Sequence, residues 1–139
     1  MPVEDAGLRA DRDQQSVSEA GVLASSARQA QTQLAELSQD QIDAIVTAMA
    51  EAVTPHAETL ARLAVEETGY GVVADKIQKN LFASRRVYKF ILPLKTVGVV
   101  NRIEERKIVE IAEPFGVVAA VVPSTNPTST AIYNVLIAL

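Results

Sequence analysis

The feature that most constrains the fold is an apolar run, FGVVAAVV from Phe115 to Val122, which shows no alternation of polar and apolar positions. A strand with one wet face alternates with period two, whereas a strand covered on both faces in a parallel sheet reads as continuous apolar text. The run therefore predicts a strand in the middle of an α/β layer. PSTNPTST comes next as a loop, with Thr128, Ser129 or Thr130 placed to cap a helix AIYNVLIAL. A buried parallel strand feeding a helix is half of a strand-helix-strand crossover, and these 139 residues hold no later strand for that helix to return to. The apolar stretch Val135 to Leu139 also lacks a glycine stop or a basic last turn, so it reads as an interruption and not a natural carboxyl end.

Upstream of Pro93 the periodicity is helical. Residues 1–15 are polar and predict a disordered tail, and 16–139 a folded unit. Between Asp11 and Leu37, Val22, Leu23, Ala27, Ala30 and Leu34 fall near one face of a helix. Ser38 with Gln41 makes a capping box, after which Ile42, Ile45, Val46 and Met49 recur at helical spacing. Thr54-Pro55 predicts a third helix start, with Gly69 and Gly71 as stop signals. Val73 to Phe90 carries Ile77, Leu81, Ser84, Tyr88 and Ile91 on one face and ends before Pro93. Beyond Pro93, TVGVVNRI and KIVEIAE predict a hairpin at about 96–113; Ile108, Glu110 and Ala112 alternate with Val109 and Ile111, as in a strand with unequal faces.

Composition narrows the function. A chain 48% hydrophobic and 22% charged can build a core. Its net charge of −4 and absence of a basic stripe interleaved with aromatics argue against nucleic acid as a partner. There is no cysteine, which removes disulfides, thiolate metal ligands and any thiol nucleophile. No signal-peptide pattern and no membrane-length apolar run occurs, so a bacterial cytoplasmic location is expected.

Pro123 to Thr130 lies where open α/β sheets bind ligands, at the carboxyl end of a buried strand and before a helix. Prolines stiffen it, and its hydroxyls and amide are donors suited to a cofactor or a developing oxyanion. A plain strand-to-helix turn with a cap explains the same residues equally well. Neither G-x-G-x-x-G nor a P-loop is present, so dinucleotide binding does not follow from motifs.

EPFGVV from Glu113, running into VVPSTNPTSTAIY, resembles the CoA-acylating branch of the aldehyde dehydrogenase superfamily, which includes acetaldehyde and sulfoacetaldehyde dehydrogenases. LARLAVEETGYGVVADKIQKN, from Leu60 to Asn80, and KTVGVVNRIEERKIVEIAEPFGV resemble its helical segment and protruding strands, so the likeness is collinear from about Leu34 to Leu139. The resemblance implies an α/β fold: amino-terminal helices, a β-hairpin serving as an oligomerisation arm, and the start of a Rossmann-like parallel sheet, incomplete here. It further implies NAD or NADP as cofactor, coenzyme A as co-substrate, a short aldehyde of acetaldehyde or sulfoacetaldehyde type, and a homo-oligomer. In that family a cysteine attacks the aldehyde, hydride passes to the nicotinamide, and CoA takes the acyl group. By carry-over Asn126 is the amide that donates to the hemithioacetal oxygen, and Pro123, Ser124 and Thr125 line the nicotinamide end of the cofactor site. Aligned on the prolines, the asparagine of the P-W-N-F-P pattern in non-acylating relatives falls opposite Thr125 instead. Asn134 stands where the family has a lysine.

Other residues are read more plainly. His56, the only histidine, is expected to face solvent and not a metal. Glu66 and Glu67 are consecutive and point about 100 degrees apart on a helix, so they make no acid/base pair. Lys76, Lys79, Arg85, Arg86 and Lys89 form either a solvated basic face, the favoured reading, or an attraction for CoA phosphates. Lacking a thiolate, the isolated chain is expected to be inactive and prone to self-association. Two alternatives are a non-catalytic assembly or binding module derived from the same domain, and an amino-terminal helix that targets a bacterial microcompartment.

Overall fold

A computed structural model describes the chain from Val3 to Leu139, and its side chains from Asp11 onward. The chain divides into two units, one formed by the amino-terminal helix with Pro114–Val117, the other by Leu37–Glu113 with Val118–Leu139.

In the first unit a single helix, α1, runs Val3–Leu34, so it begins well before Asp11 and continues through residues read as a polar tail; Met1 and Pro2 lie outside the described residues. Along its described length α1 is exposed, Val22 at 64% and Leu23 at 70%, with Ala27, Gln31 and Leu34 half-buried. The expected apolar face is thus mostly uncovered, and backbone hydrogen bonds together with its alanine, glutamine and glutamate content are what favour the helix.

The second unit is helical at its centre. Its first helix, α2 (Gln39–Val53), starts at the expected capping box: Ser38 Oγ accepts from Gln41 N, and Gln41 Oε1 accepts from Ser38 N at 2.9 Å. Thr54–His56 forms a 3-10 turn, and Thr54 Oγ1 donates to Ala50 O at 2.7 Å instead of capping the next helix. That third helix, α3 (Ala57–Thr68), therefore starts later than the Thr54-Pro55 pair predicts. It ends at Gly69, whose φ of 69° is the left-handed conformation that glycine adopts freely. Next, α4 (Val73–Leu81) passes through a π-helical stretch, Phe82–Val87, into α5 (Tyr88–Ile91), forming one element that stops before Pro93. The last helix, α6 (Pro127–Ile137), packs against α2, α3, α4 and the π stretch.

Ile42, Val46 and Ala50 of α2, Ala57, Ala61 and Ala64 of α3, Ala83 of the π stretch and Leu136 of α6 are buried. The alanines let helix axes approach closely, while each of the larger side chains contributes about 1.5–3 kcal/mol on burial.

Two strands, β1 (Gly98–Ile103) and β2 (Ile108–Ala112), form the antiparallel hairpin within the expected bounds. A bulge lies between Val99 and Asn101, and Asn101 Nδ2 donates to Glu110 Oε2 at 3.0 Å across the pair. Contrary to the unequal faces that the alternation predicts, Val109 and Ile111 on one side and Ile108 on the other are all exposed, since the described residues stack no layer on either side. Gln39 ties the linker into the hairpin back to α2: its Oε1 accepts from Thr96 N at 2.8 Å and Val97 N at 3.0 Å.

The run Phe115–Val122 corrects the sequence reading. It is neither a paired strand nor buried; Val118 is 58% and Val121 90% exposed, and no parallel pair occurs among the described residues. A strand exists only through its ladder partners, and none lies within reach here.

Candidate functional site

The helix α4 and its π continuation carry a buried polar row, Lys76, Asn80 and Ser84, spaced so that all three share one face. That face meets the loop before α6. Lys76 is 4% exposed, and its Nζ donates to Thr125 O at 2.7 Å. One turn on, Lys79 Nζ donates to Asn126 Oδ1 at 2.9 Å. Asn80, 1% exposed, donates from Nδ2 to Ala57 O at 3.0 Å and accepts at Oδ1 from Thr128 Oγ1 at 2.8 Å. Asn80 thereby links α3, α4 and α6, and the lysines grip the loop itself. Ser84 Oγ is buried without a hydrogen-bond partner among the described residues.

Close approach of the backbone to Lys76 requires glycine upstream. Gly71 has φ 78°, and a Cβ there would lie 3.3 Å from Lys76 Cε. The G-Y-G turn between α3 and α4 thus both reverses the chain and leaves room for the stem of the lysine that holds Thr125.

The geometry fixes which way the Asn126 amide faces. Lysine Nζ donates, so the amide must turn its oxygen toward Lys79, leaving its NH₂ free to donate elsewhere. Asn126 is also the residue before α6: its O accepts from Thr130 N at 3.2 Å and its N donates to Pro123 O at 3.4 Å. No side chain caps α6; Thr128, expected as a cap, is inside the helix and spends its hydroxyl on Asn80. Of the residues assigned by resemblance, Thr125 and Asn126 are brought onto α4, whereas Pro123 and Ser124 are exposed and make no side-chain hydrogen bond to another described residue.

The reading of a uniformly solvated basic face is corrected at Lys76, which is buried, whereas Lys79 stays exposed while its Nζ reaches Asn126. The helix presents 76, 80 and 84 inward, not the row beginning at Ile77 and Leu81, which are half-buried. The signal for this was Asn80 itself, since asparagine competes for its own backbone in a helix interior and stays there when its amide is used in tertiary contacts. Arg85, Arg86 and Lys89 remain exposed, as do Glu66, Glu67 and His56, in line with the plain reading of those residues.

A cleft of about 370 Å³ lies between the π stretch and α6, lined by Lys79, Phe82, Ala83, Val87, Ser129 and Tyr133. Lys79 and Phe82 also border a hollow of about 660 Å³ into which Arg85, Arg86 and Lys89 project. On the other flank of α6, an apolar groove of about 630 Å³ runs past Met49, Val53, Leu60 and Val135 and includes His56. Thr128 and His56 are the polar side chains among its otherwise apolar lining. Among the described residues no group of histidine and carboxylate side chains could hold a metal, and no helix is long and apolar enough to cross a membrane.

The chain is similar to known enzymes over nearly all its length. It is 42% identical over 123 residues to the bifunctional aldehyde-alcohol dehydrogenase of Escherichia coli, covering 88% of this chain and 14% of that protein. Its identity to the acetylating succinate-semialdehyde dehydrogenase of Clostridium kluyveri is 42% over 113 residues, covering 81% of this chain and 25% of that one. The crystal structure of an acetylating aldehyde dehydrogenase from Geobacillus thermoglucosidasius superposes with a TM-score of 0.88 at 50% identity, over 91% of this chain and 28% of that chain. These 139 residues thus span less than a third of the length of each of these relatives. The aldehyde dehydrogenase family model matches residues 8–139, and the chain belongs to that family.

Proposed function

We propose that this chain supplies part of the active site of an acylating aldehyde dehydrogenase, an enzyme that oxidises a short aldehyde to its acyl-CoA through a cysteine thioester, with NAD or NADP accepting hydride. The observation that carries the reading is the fixed amide of Asn126. Its oxygen is taken by Lys79, and its NH₂ is left to donate toward an oxygen that gains negative charge. Half-identity to an acetylating dehydrogenase across 91% of the chain supports the same reading.

In this scheme Asn126 steadies the oxyanion, and Lys76, by holding Thr125 O, keeps the loop from shifting when that charge develops. A loop displaced by an ångström loses such alignment, so a rigid clamp is what the chemistry asks of the scaffold. The hydroxyls of Ser124 and Thr125 make no hydrogen bond to another described residue, which suits them to the polar nicotinamide end of a dinucleotide. When bound, that dinucleotide supplies the hydride acceptor. CoA serves as acyl acceptor, and the cysteine nucleophile lies outside these 139 residues. We place the enzyme in the bacterial cytoplasm as a homo-oligomer joined through the hairpin, whose exposed Val109 and Ile111 offer an apolar face.

CoA-dependent NADH formation from acetaldehyde tests this directly. The 139-residue chain alone is expected to give none, and the product of the reading frame continued past Leu139 to include a cysteine is expected to be active. Turnover by the chain alone, or inactivity of the longer folded product with all short aldehydes and both dinucleotides, would overturn it.

A further inference from the structure

Lys79 borders two hollows at once: the mostly apolar cleft against α6, and the broader basic one of Arg85, Arg86 and Lys89. It is exposed, and its Nζ is held by a 2.9 Å hydrogen bond to Asn126 Oδ1. A reagent with phosphates at one end and a short acyl group at the other matches both hollows, with this amine between them. We infer that Lys79 is an acylation site, modified at Nζ without a second enzyme by a short-chain acyl thioester of a phosphorylated carrier, an acyl-CoA. The free amine attacks the thioester carbonyl, a C–N bond forms as the C–S bond breaks, and the departing thiolate takes the proton that nitrogen loses. No oxidant or further reactant is needed.

Three observations carry it. Arg85, Arg86 and Lys89 gather round one hollow although the chain as a whole is acidic, and the salt bridge among the described residues, Arg62–Glu58, involves none of them. Phosphates therefore meet unneutralised charge there, and guanidinium groups bind them through paired hydrogen bonds. The cleft, of about 370 Å³, is walled by Phe82, Ala83, Val87 and Tyr133, which gives a short acyl chain on Nζ apolar surface to cover. Finally, Lys79 alone among the lysines borders both hollows: Lys76 is buried with its Nζ spent on Thr125 O, Lys89 borders the basic hollow only, and Lys95 and Lys107 border neither. One N–H of the amine on Asn126 leaves the lone pair to attack, and the same bond keeps Nζ from swinging through solvent. Acylation removes the charge of the lysine, and with it the charge-assisted bond that orients the Asn126 amide. Under the proposed function an acyl-CoA product thus turns down the site that makes it; this consequence rests on that reading, whereas the modification does not.

Peptide mass spectrometry of the 139-residue chain incubated with acetyl-CoA, with no aldehyde or dinucleotide present, tests the modification apart from turnover. Acetyl occupancy is followed over time at each lysine. S-acetylpantetheine, a thioester without phosphates, is the comparison reagent at equal concentration and ionic strength. Lys79 is expected to react at least roughly tenfold faster than Lys95 and Lys107, at a rate that saturates with acetyl-CoA. That preference should fall to about twofold or less with S-acetylpantetheine and in Arg85→Gln/Arg86→Gln. Both arginines are exposed, so the circular dichroism of the variant should stay that of the parent. Acetylation of Lys79 at a rate within about twofold of Lys95 and Lys107 would overturn the inference, as would a preference for Lys79 that survives loss of the phosphates or of the arginines. Faster reaction at Lys89 than at Lys79 would overturn it too, since both border the basic hollow and only Lys79 borders the cleft. Because no oxidation step is read, a failure here leaves the aldehyde oxidation standing, and failure of the oxidation assay leaves the lysine occupancies interpretable.

Discussion

Asn80 ties α4 to two other helices of the second unit, because its amide satisfies a main-chain carbonyl on α3 and a hydroxyl on α6 in a fully buried position. Asn80→Ala leaves Ala57 O and Thr128 Oγ1 without that partner. The expected loss is about 1–3 kcal/mol for each group so orphaned, read by chemical denaturation. Asn80→Asp keeps an acceptor for Thr128 but sets a second acceptor oxygen against Ala57 O in a buried position, so it should be at least as destabilising as the alanine variant. A change below about 0.5 kcal/mol for Asn80→Ala would show that the amide is not the tie it is described to be. None of this tertiary role is visible in helical periodicity, which marks apolar faces; a polar residue facing inward enters such a pattern only as an interruption. The candidate loop was legible for a different reason. Its prolines, hydroxyls and amide stand at the end of an apolar run and before a helix, and that arrangement needs no knowledge of packing. Lys76 and Lys79, which hold the loop, lie more than forty residues upstream by their hydrogen bonds to Thr125 and Asn126, and sequence spacing alone does not join them.

At the scale of elements, local chemistry was the reliable guide. The capping box at Ser38 and Gln41, the glycine stop at Gly69 and the hairpin about Glu104–Arg106 are set by nearest neighbours, and each forms as the sequence predicts. Elements that depend on partners were less legible. The alternation in β2 predicts a wet and a dry face, and FGVVAAVV predicts a covered strand, but the described residues provide no layer to cover either. The exposed valines of that run are expected to promote self-association. Val118→Lys/Val121→Lys is expected to lower the average mass seen by light scattering while leaving the denaturation midpoint unchanged, since neither side chain packs in the helical unit. An unchanged mass would place the association elsewhere, at the hairpin or the apolar groove beside α6. A lower midpoint would show that the run packs against the helices after all.

On the scale of the whole molecule, the second unit reads as a scaffold for one loop. A core of α2, α3 and α6 seats α4, and α4 presents two lysines and an asparagine to the residues 125–128 that precede and begin α6. Under the proposed function that loop is the point at which the fold meets chemistry. In that scheme the amide of Asn126, oriented by Lys79, stabilises developing negative charge on the substrate oxygen. The test is steady-state kinetics of Asn126→Ala in an acylating aldehyde dehydrogenase whose amino-terminal part is replaced by this chain, with CoA and dinucleotide saturating. Removal of a donor acting only in the transition state is expected to lower kcat by about 10²–10³ with KM nearly unchanged. A kcat within about twofold of the parent, or a loss confined to KM, would contradict the assignment of Asn126 to the oxyanion.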